Sequence, residues 1–162
     1  MNQNHLQAVQ ISAAIITVSS TRTKENDTSG ATISTLLSAA EIPVSHYAIV
    51  PDKVESIRNE LYIAMKTANC IIINGGTGLT HDDCNIEAIA PLLEKKIDGF
   101  GEFFRMKSLQ EIGTSAMLSR AIAGISHGKV IFCIPGSTTA VTLATKELIV
   151  PEIVHILSHA NR

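Results

Sequence analysis

The stretch NGGTGLTHDDCN, from Asn74 to Asn85, sets a glycine-rich tetrad just ahead of two adjacent carboxylates, Asp82 and Asp83. Gly75, Gly76, Thr77 and Gly78 would let a backbone approach a ligand closely, but glycine pairs after buried strands also serve simply as turns. The tetrad lacks the GK[ST] of a P-loop and does not fit GxGxxG, so the familiar nucleotide fingerprints fail. A second stretch, PGSTTA from Pro135, puts Gly136, Ser137 and Thr138 at a helix start. Backbone N–H groups there can hold an anion, and Ser137 or Thr138 can equally be the helix cap. Together the two loops, one leading into Asp83 and Asn85 and the other into Ser137 and Thr138, could cradle the two ends of a phosphorylated ligand.

Other reactive side chains are less pointed. His155 and His159 share a helix face at i, i+4, but without a suitably placed Glu or a third ligand they make a weak metal pair, and His near a helix C-terminus already suits the dipole. Cys84 is either a reactive thiol beside Asp83 or a neutral one filling space under the loop. His81 either touches ligand or is solvated.

Positioning these residues requires a frame. Residues 12–20, SAAIITVSS, read as a buried strand followed by a polar loop, and Asp27, Thr28 or Ser29 can N-cap a helix carrying Ile33, Leu36, Leu37 and Ala40. That helix is expected to end near Glu41, before Pro43. A strand over 44–50 follows, then Asp52 as an N-cap candidate for a helix bearing Val54, Ile57, Leu61 and Ala64, then the buried strand CIIIN. Ile86, Ile89 and Leu93 predict a helix. GFGEFFRM, residues 99–106, resembles a glycine-punctuated active-site segment rather than regular structure, Ser108 is placed to start a short helix, and 114–123 is helical by composition. A strand from Lys129 runs into the Pro-Gly turn, a long helix runs from about Thr138 towards Ile149, and Pro151 sits at a first-turn position. Strands alternating with helices predict an open, mainly parallel α/β sheet with ligands outside the carboxyl ends of its strands. The loops SSTRTKEND, NGGTGLTHDD and PGSTTA should then converge on one rim.

Bulk properties limit the function class. A chain of 162 residues, 45% hydrophobic, suits one domain with a substantial core and leaves little room for a second. Net charge −2, from 13 basic and 15 acidic residues, gives no electrostatic footprint for nucleic acid and no polybasic membrane patch. Cys70, Cys84 and Cys133 are odd in number and lack CxxC spacing, which fits a reducing, cytoplasmic setting. No apolar run approaches the roughly 20 residues of a membrane helix, and the N-terminus has no basic region followed by an apolar one. Residues 1–11 are expected to be a flexible segment ahead of the domain.

GGTGLTHDD, GFGEFFRM, IGTSAMLSRAIAG and IPGSTTA, in this order and at these spacings, closely resemble the MoaB/MogA family of molybdenum cofactor biosynthesis proteins; VSSTR and DTSG near the N-terminus fit it too. The PGST sequence and the early C-terminal end look like the MoaB branch. The resemblance implies a single-domain, three-layer α/β fold with helices on both faces, assembled as a homotrimer or hexamer, with a site for molybdopterin and adenine nucleotide. Catalytic members join AMP from ATP to the terminal phosphate of molybdopterin using Mg²⁺, and a partner protein then inserts molybdate. Within the MoaB branch this activity is present in some members and absent in others, so the alternative is a non-catalytic molybdopterin- or nucleotide-binding oligomer.

The resemblance also gives a reason for carboxylates beside an anion loop. A carboxylate about 4 Å from a phosphate charge is repelled by about 4 kcal/mol at an effective dielectric near 20. A magnesium ion between them removes the conflict, since it binds one or two carboxylates together with phosphate oxygens. Asp83 occupies the family's functional aspartate position and is the first choice for catalysis and metal binding, with Asp82 a second metal ligand. Relatives usually carry Arg at position 82, many have Asp where this chain has Ser20, and Thr139 replaces a small Gly. Either Asp82 helps hold the metal or the adenylylation site is degraded. Asp52 matches another functional aspartate; it or Glu102 could accept from the amino-pyrimidinone edge of a pterin. Arg105 and Arg120 are candidate phosphate ligands, and Ser119 and Thr77 candidate hydroxyl donors to substrate.

Overall fold

The apolar runs and a short exposed Lys-Lys edge form one six-stranded sheet, in the order β2-β1-β3-β6-β5-β4. Its strands are Ala13–Val18 (β1), Val44–Val50 (β2), Cys70–Asn74 (β3), Lys95–Lys96 (β4), Ile122–Ser126 (β5) and Lys129–Ile134 (β6). The computed structural model describes residues 8–162. Residues 1–7, which make up most of the segment expected to be flexible, lie outside the described residues, and Val9 and Ile11 pack against the core.

Strands β2, β1, β3 and β6 are parallel, with Ile15 opposite Ile72 and Ile72 opposite Phe132. Alternation along each strand sends side chains to opposite faces, and both faces are covered. Ile15, Ile72 and Phe132 face one layer, made by Thr28–Ala39 (α1), Asp98–Ile112 (α4), Thr138–Leu143 (α5) and Val150–Ala160 (α6). Ile16, Ile71, Ile73 and Ile131 face the other layer, Val54–Ala64 (α2) and Asn85–Ile89 (α3). The three-layer α/β architecture is as expected, and no helix among the described residues is long and apolar enough to cross a membrane.

Local chemistry explains both agreement and correction. Asp27 caps α1, accepting from the Gly30 N–H at 3.0 Å. The cap of α2, by contrast, is Lys53 rather than Asp52, and no side chain bonds it. The segment 99–106 is regular after all: α4 runs through it and through Ser108, burying Phe100, Phe104 and Ser108 at i, i+4 spacing. Residues 114–123 are not one helix. A 3₁₀ turn, Gly113–Leu118, gives way to β5, which pairs antiparallel with β6 across the tight turn of His127 and Gly128. Both turn residues have positive φ, as a two-residue hairpin of this hand requires. The long C-terminal helix is present, with a π-helical stretch at Ala144–Ile149 before Pro151 opens α6.

Candidate functional site

Because β1, β3 and β6 are parallel neighbours, the segments that leave their carboxyl ends meet at one rim. They enclose a cavity of about 490 Å³. Ser19 and Arg22 come from the first loop, Asn74 to Gly78 and Asp83 from the second, and Pro135, Gly136 and Ser137 from the third. Phe104, Ser108 and Ile112 of α4, with Leu118 and Ser119 beyond it, form the remaining wall.

The second loop is glycine-rich because other backbone lies against it. Gly75 has φ +93°, and a Cβ there would fall 2.4 Å from the Val18 carbonyl oxygen. A Cβ on Gly136 would in turn stand 3.1 Å from Gly75 Cα. The glycines thus serve as turns and also bring the three loops into contact. Asn85, fully buried, fastens the same loop by donating from Nδ2 to the Gly75 carbonyl at 2.8 Å, while its backbone N–H bonds the Gly76 carbonyl.

Asp83 is the carboxylate that the cavity presents. Its Oδ2 accepts from the Thr80 N–H at 2.9 Å and from the Thr80 hydroxyl at 2.7 Å, which fixes the carboxylate plane without a cation. Next to it, burial and then the carboxylates of Asp52, Glu87, Asp83 and Asp82 push the Cys84 thiol above its ordinary range. Cys84 packs against the α2–α3 core, so the space-filling reading of this thiol is the one the geometry favours.

Behind Thr17 and Arg22 of the lining sits a network around Asp27, which is 2% exposed. Its carboxylate accepts from Thr17 Oγ1 at 2.6 Å, from the Tyr47 hydroxyl, from the Gly30 N–H, and from Arg22 Nη1 at 3.3 Å. Burial alone would raise this carboxyl's pKa, but the bonds from Thr17, Tyr47, Gly30 and Arg22 outweigh it and hold the pKa below the usual value. Burial and the adjoining carboxylate push the Tyr47 phenol well up, so it stays a donor. Arg22 Nη1 also donates to Ser29 Oγ at 3.0 Å, and the Ser29 hydroxyl donates to the Gly136 carbonyl. The first and third loops are thereby tied together.

Several expected residues stand elsewhere. Arg105 donates from Nη1 to the carbonyls of Ser119 and Ala121. Arg120 donates from Nε and Nη2 to the Gly78 carbonyl and from Nη1 to Glu87 at 2.8 Å. Both guanidinium groups clamp loops and neither lines the cavity. Glu102 is exposed on α4 and Asp82 is exposed on its loop, both outside the lining. Thr138, in the first turn of α5, is also outside, while Ser137 is the cap of that helix, accepting from the Ala140 N–H at 3.1 Å. Asp52 accepts from Ser20 Oγ at 2.8 Å and reaches the site only from behind, its Oδ1 3.4 Å from where a Gly76 Cβ would be. Thr77 is buried in the lining, and the Ser119 hydroxyl is buried there without a partner.

Residues 14–155 match the family model described as a probable molybdopterin binding domain. The chain is 46% identical over 156 residues to molybdenum cofactor biosynthesis protein B of Bacillus cereus, covering 94% of this chain and 92% of that one. It is 48% identical over 146 residues to the protein of that name from Halalkalibacterium halodurans, covering 88% and 86%. The chain belongs to the molybdenum cofactor biosynthesis protein B (MoaB) family. A crystal structure of a molybdenum cofactor biosynthesis protein B superposes with TM-score 0.91 at 46% identity, covering 96% of this chain and 99% of that one. The tungsten cofactor synthesizing protein MoaB of Pyrococcus furiosus superposes with TM-score 0.87 at 37% identity, covering 96% and 100%.

In this MoaB-family chain, the donor set for a magnesium ion is narrow. Among the described residues, no group of three or more His, Cys, Asp or Glu could hold a metal, His155 and His159 included. A single cavity carboxylate, Asp83, nonetheless fits a magnesium ion that draws its other ligands from substrate phosphates and water. Arg22 and Asn74 are among the cavity residues that the sequence reading missed. Arg22 lay in the SSTRTKEND loop expected at the rim, but the residue itself was not singled out; its signal was a lone guanidinium just after a buried strand. Asn74 ends an otherwise apolar strand, and an amide in that place was the available clue.

Proposed function

We propose that the protein is a molybdopterin adenylyltransferase, transferring AMP from Mg-ATP to molybdopterin with release of pyrophosphate. The observation that carries this reading is the convergence of three loops on one cavity, with Asp83, held by Thr80, in its lining. Its volume falls within the range of small-molecule sites. An oxygen of the molybdopterin phosphate forms the new bond to the α-phosphorus, and the bond from that phosphorus to the bridging oxygen of the β-phosphate breaks, so pyrophosphate leaves with the electron pair.

Such a displacement needs alignment and charge neutralisation more than an acid–base pair. Gly75, Gly76 and Gly136 let the three loops pack backbone to backbone around the cavity, and Thr77 and Ser119 supply hydroxyls in the wall. Asp83 would hold the magnesium ion, which supplies positive charge against the phosphates when bound. Asp82, exposed beside it, would reach the metal only from outside the cavity. Asp52, oriented by Ser20, stands outside the cavity lining and would act on the site through the Gly76 segment.

The second reading is a non-catalytic molybdopterin- or nucleotide-binding oligomer. Its support is local: by the family resemblance, Ser20 stands where many relatives would carry Asp and Asp82 where they would carry Arg. The deciding experiment incubates purified protein with ATP, Mg²⁺ and molybdopterin and measures adenylyl-molybdopterin. Product formation, reduced at least about 100-fold by Asp83→Asn with an unchanged melting temperature, supports the enzyme. Molybdopterin binding without product supports the second reading, and a large gain of product in Asp82→Arg would show that the natural residue suppresses transfer.

A further inference from the structure

Among the described residues that line the cavity, Arg22 is the one cation and Asp83 the one carboxylate. They come from different loops, so the site is electrically polarised. Arg22 is held at a single nitrogen: Nη1 bonds both Asp27 and Ser29. A guanidinium carries five N–H donors in a planar fork, so one held this way can still offer bidentate donors to an oxyanion. Its side chain is 35% exposed, whereas that of Asp27 is wholly enclosed.

The same carboxylate sets the polarity of the cavity floor. Ionised Asp27 can only accept, so the Thr17 hydroxyl spends its proton on Asp27 Oδ2. Thr17 Oγ1 must then accept from Asn74, and Asn74 Nδ2 does donate to it at 3.0 Å and to the Ile16 carbonyl at 3.4 Å. That orientation leaves Asn74 Oδ1, fully buried, without a partner beneath Gly136. A buried acceptor left unpaired carries an uncompensated desolvation cost, which a ligand N–H or O–H donor would recover.

We propose that Arg22 is the oxyanion-binding residue of the cavity, and that Asp27 is the positioning residue that aims Arg22 and fixes Asn74 Oδ1 as a hydrogen-bond acceptor in the floor. The ligand this assigns is a phosphorylated compound with an N–H or O–H donor close to the phosphate. The inference rests on the adenylyltransferase reading only for the source of that phosphate, nucleotide or pterin.

The test is calorimetric binding by the full chain of inorganic pyrophosphate, ATP, molybdopterin and adenosine. R22Q should weaken pyrophosphate by about 10- to 100-fold, the value of a charge-assisted hydrogen bond, with adenosine unchanged and R22K intermediate. Loss of ATP but not molybdopterin affinity assigns the nucleotide phosphate, and the reverse assigns the pterin phosphate. D27N should weaken pyrophosphate comparably, and R22Q/D27N should be no weaker than R22Q, because Asp27 acts through Arg22. If D27N fails to fold, S29A removes the other bond on Nη1 and should cost about threefold or more. Wild-type pyrophosphate affinity in R22Q overturns the inference and leaves the enzyme reading standing. Additive losses in the double variant, or an unchanged S29A, overturn the positioning role. Failure of the wild type to bind any of the three phosphates overturns both.

Discussion

Asp27 shows how a buried charge is made tolerable at one residue. An ionised carboxylate with 2% exposure would be strongly penalised alone, yet its donors keep it ionised below the ordinary carboxylate range. The sign of the pH dependence follows. The folded pKa lies below the unfolded one, near 3.9, so the stabilisation is fully present above that value and is lost as pH falls through the folded pKa. Asp27→Asn should therefore lower stability by about 2–3 kcal/mol at pH 7 and flatten the acid limb of the stability curve below about pH 4. Urea unfolding from pH 2 to 8 checks this; parallel curves for the two proteins would show that folding leaves the Asp27 pKa unshifted.

At the scale of elements, Arg120 connects the segment before β5 to the loop after β3. Its bonds to the Gly78 carbonyl and to Glu87 make it a clamp on the loop that presents Asp83. Arg120→Ala should accelerate amide hydrogen exchange at residues 76–83 in the ligand-free protein, at a stability cost of about 1–2 kcal/mol. A residue serving only as a phosphate ligand would leave ligand-free exchange unchanged. The clamp was not legible in the sequence, where an arginine beside a glycine loop reads as an anion ligand. Strands β1, β3 and β6 were legible because burial on both faces demands unbroken apolar runs. Helix α4 was hidden by Gly99 and Gly101, each costing a helix about 1 kcal/mol relative to Ala. The buried Phe100–Phe104–Ser108 stripe outweighs that cost, and Gly101 is needed because a Cβ there would meet the Ala121 carbonyl at 2.7 Å. Strand β5, IAGIS, has Ala and Gly where strand formers were sought, and only its pairing with β6 reveals it. The rim of the site could be read from strand order, whereas the direction of each side chain depended on long-range hydrogen bonds such as Asn74 to Thr17.

At the scale of the whole molecule, the unsatisfied feature is apolar. Phe103, Met106, Leu109 and Ile112 of α4, with Met117 and Leu118 after it, are each more than half exposed. Their spacing puts a continuous strip along one side of the chain, and Ile112 and Leu118 also belong to the cavity wall. A strip of this kind on a free monomer would be an aggregation liability. The homotrimer or hexamer that the family resemblance implies would cover it, and because the strip borders the cavity such an assembly would tie oligomer formation to ligand binding. Sedimentation of the wild type should give a trimer or a multiple of it. Met106→Glu, which buries a charge in that interface, should shift the distribution towards monomer. It should also weaken ATP binding by about tenfold, although Met106 does not line the cavity. A monomeric wild type with full ATP affinity would detach the strip from the site; a monomeric M106E that keeps wild-type affinity would show that each cavity is complete within one chain.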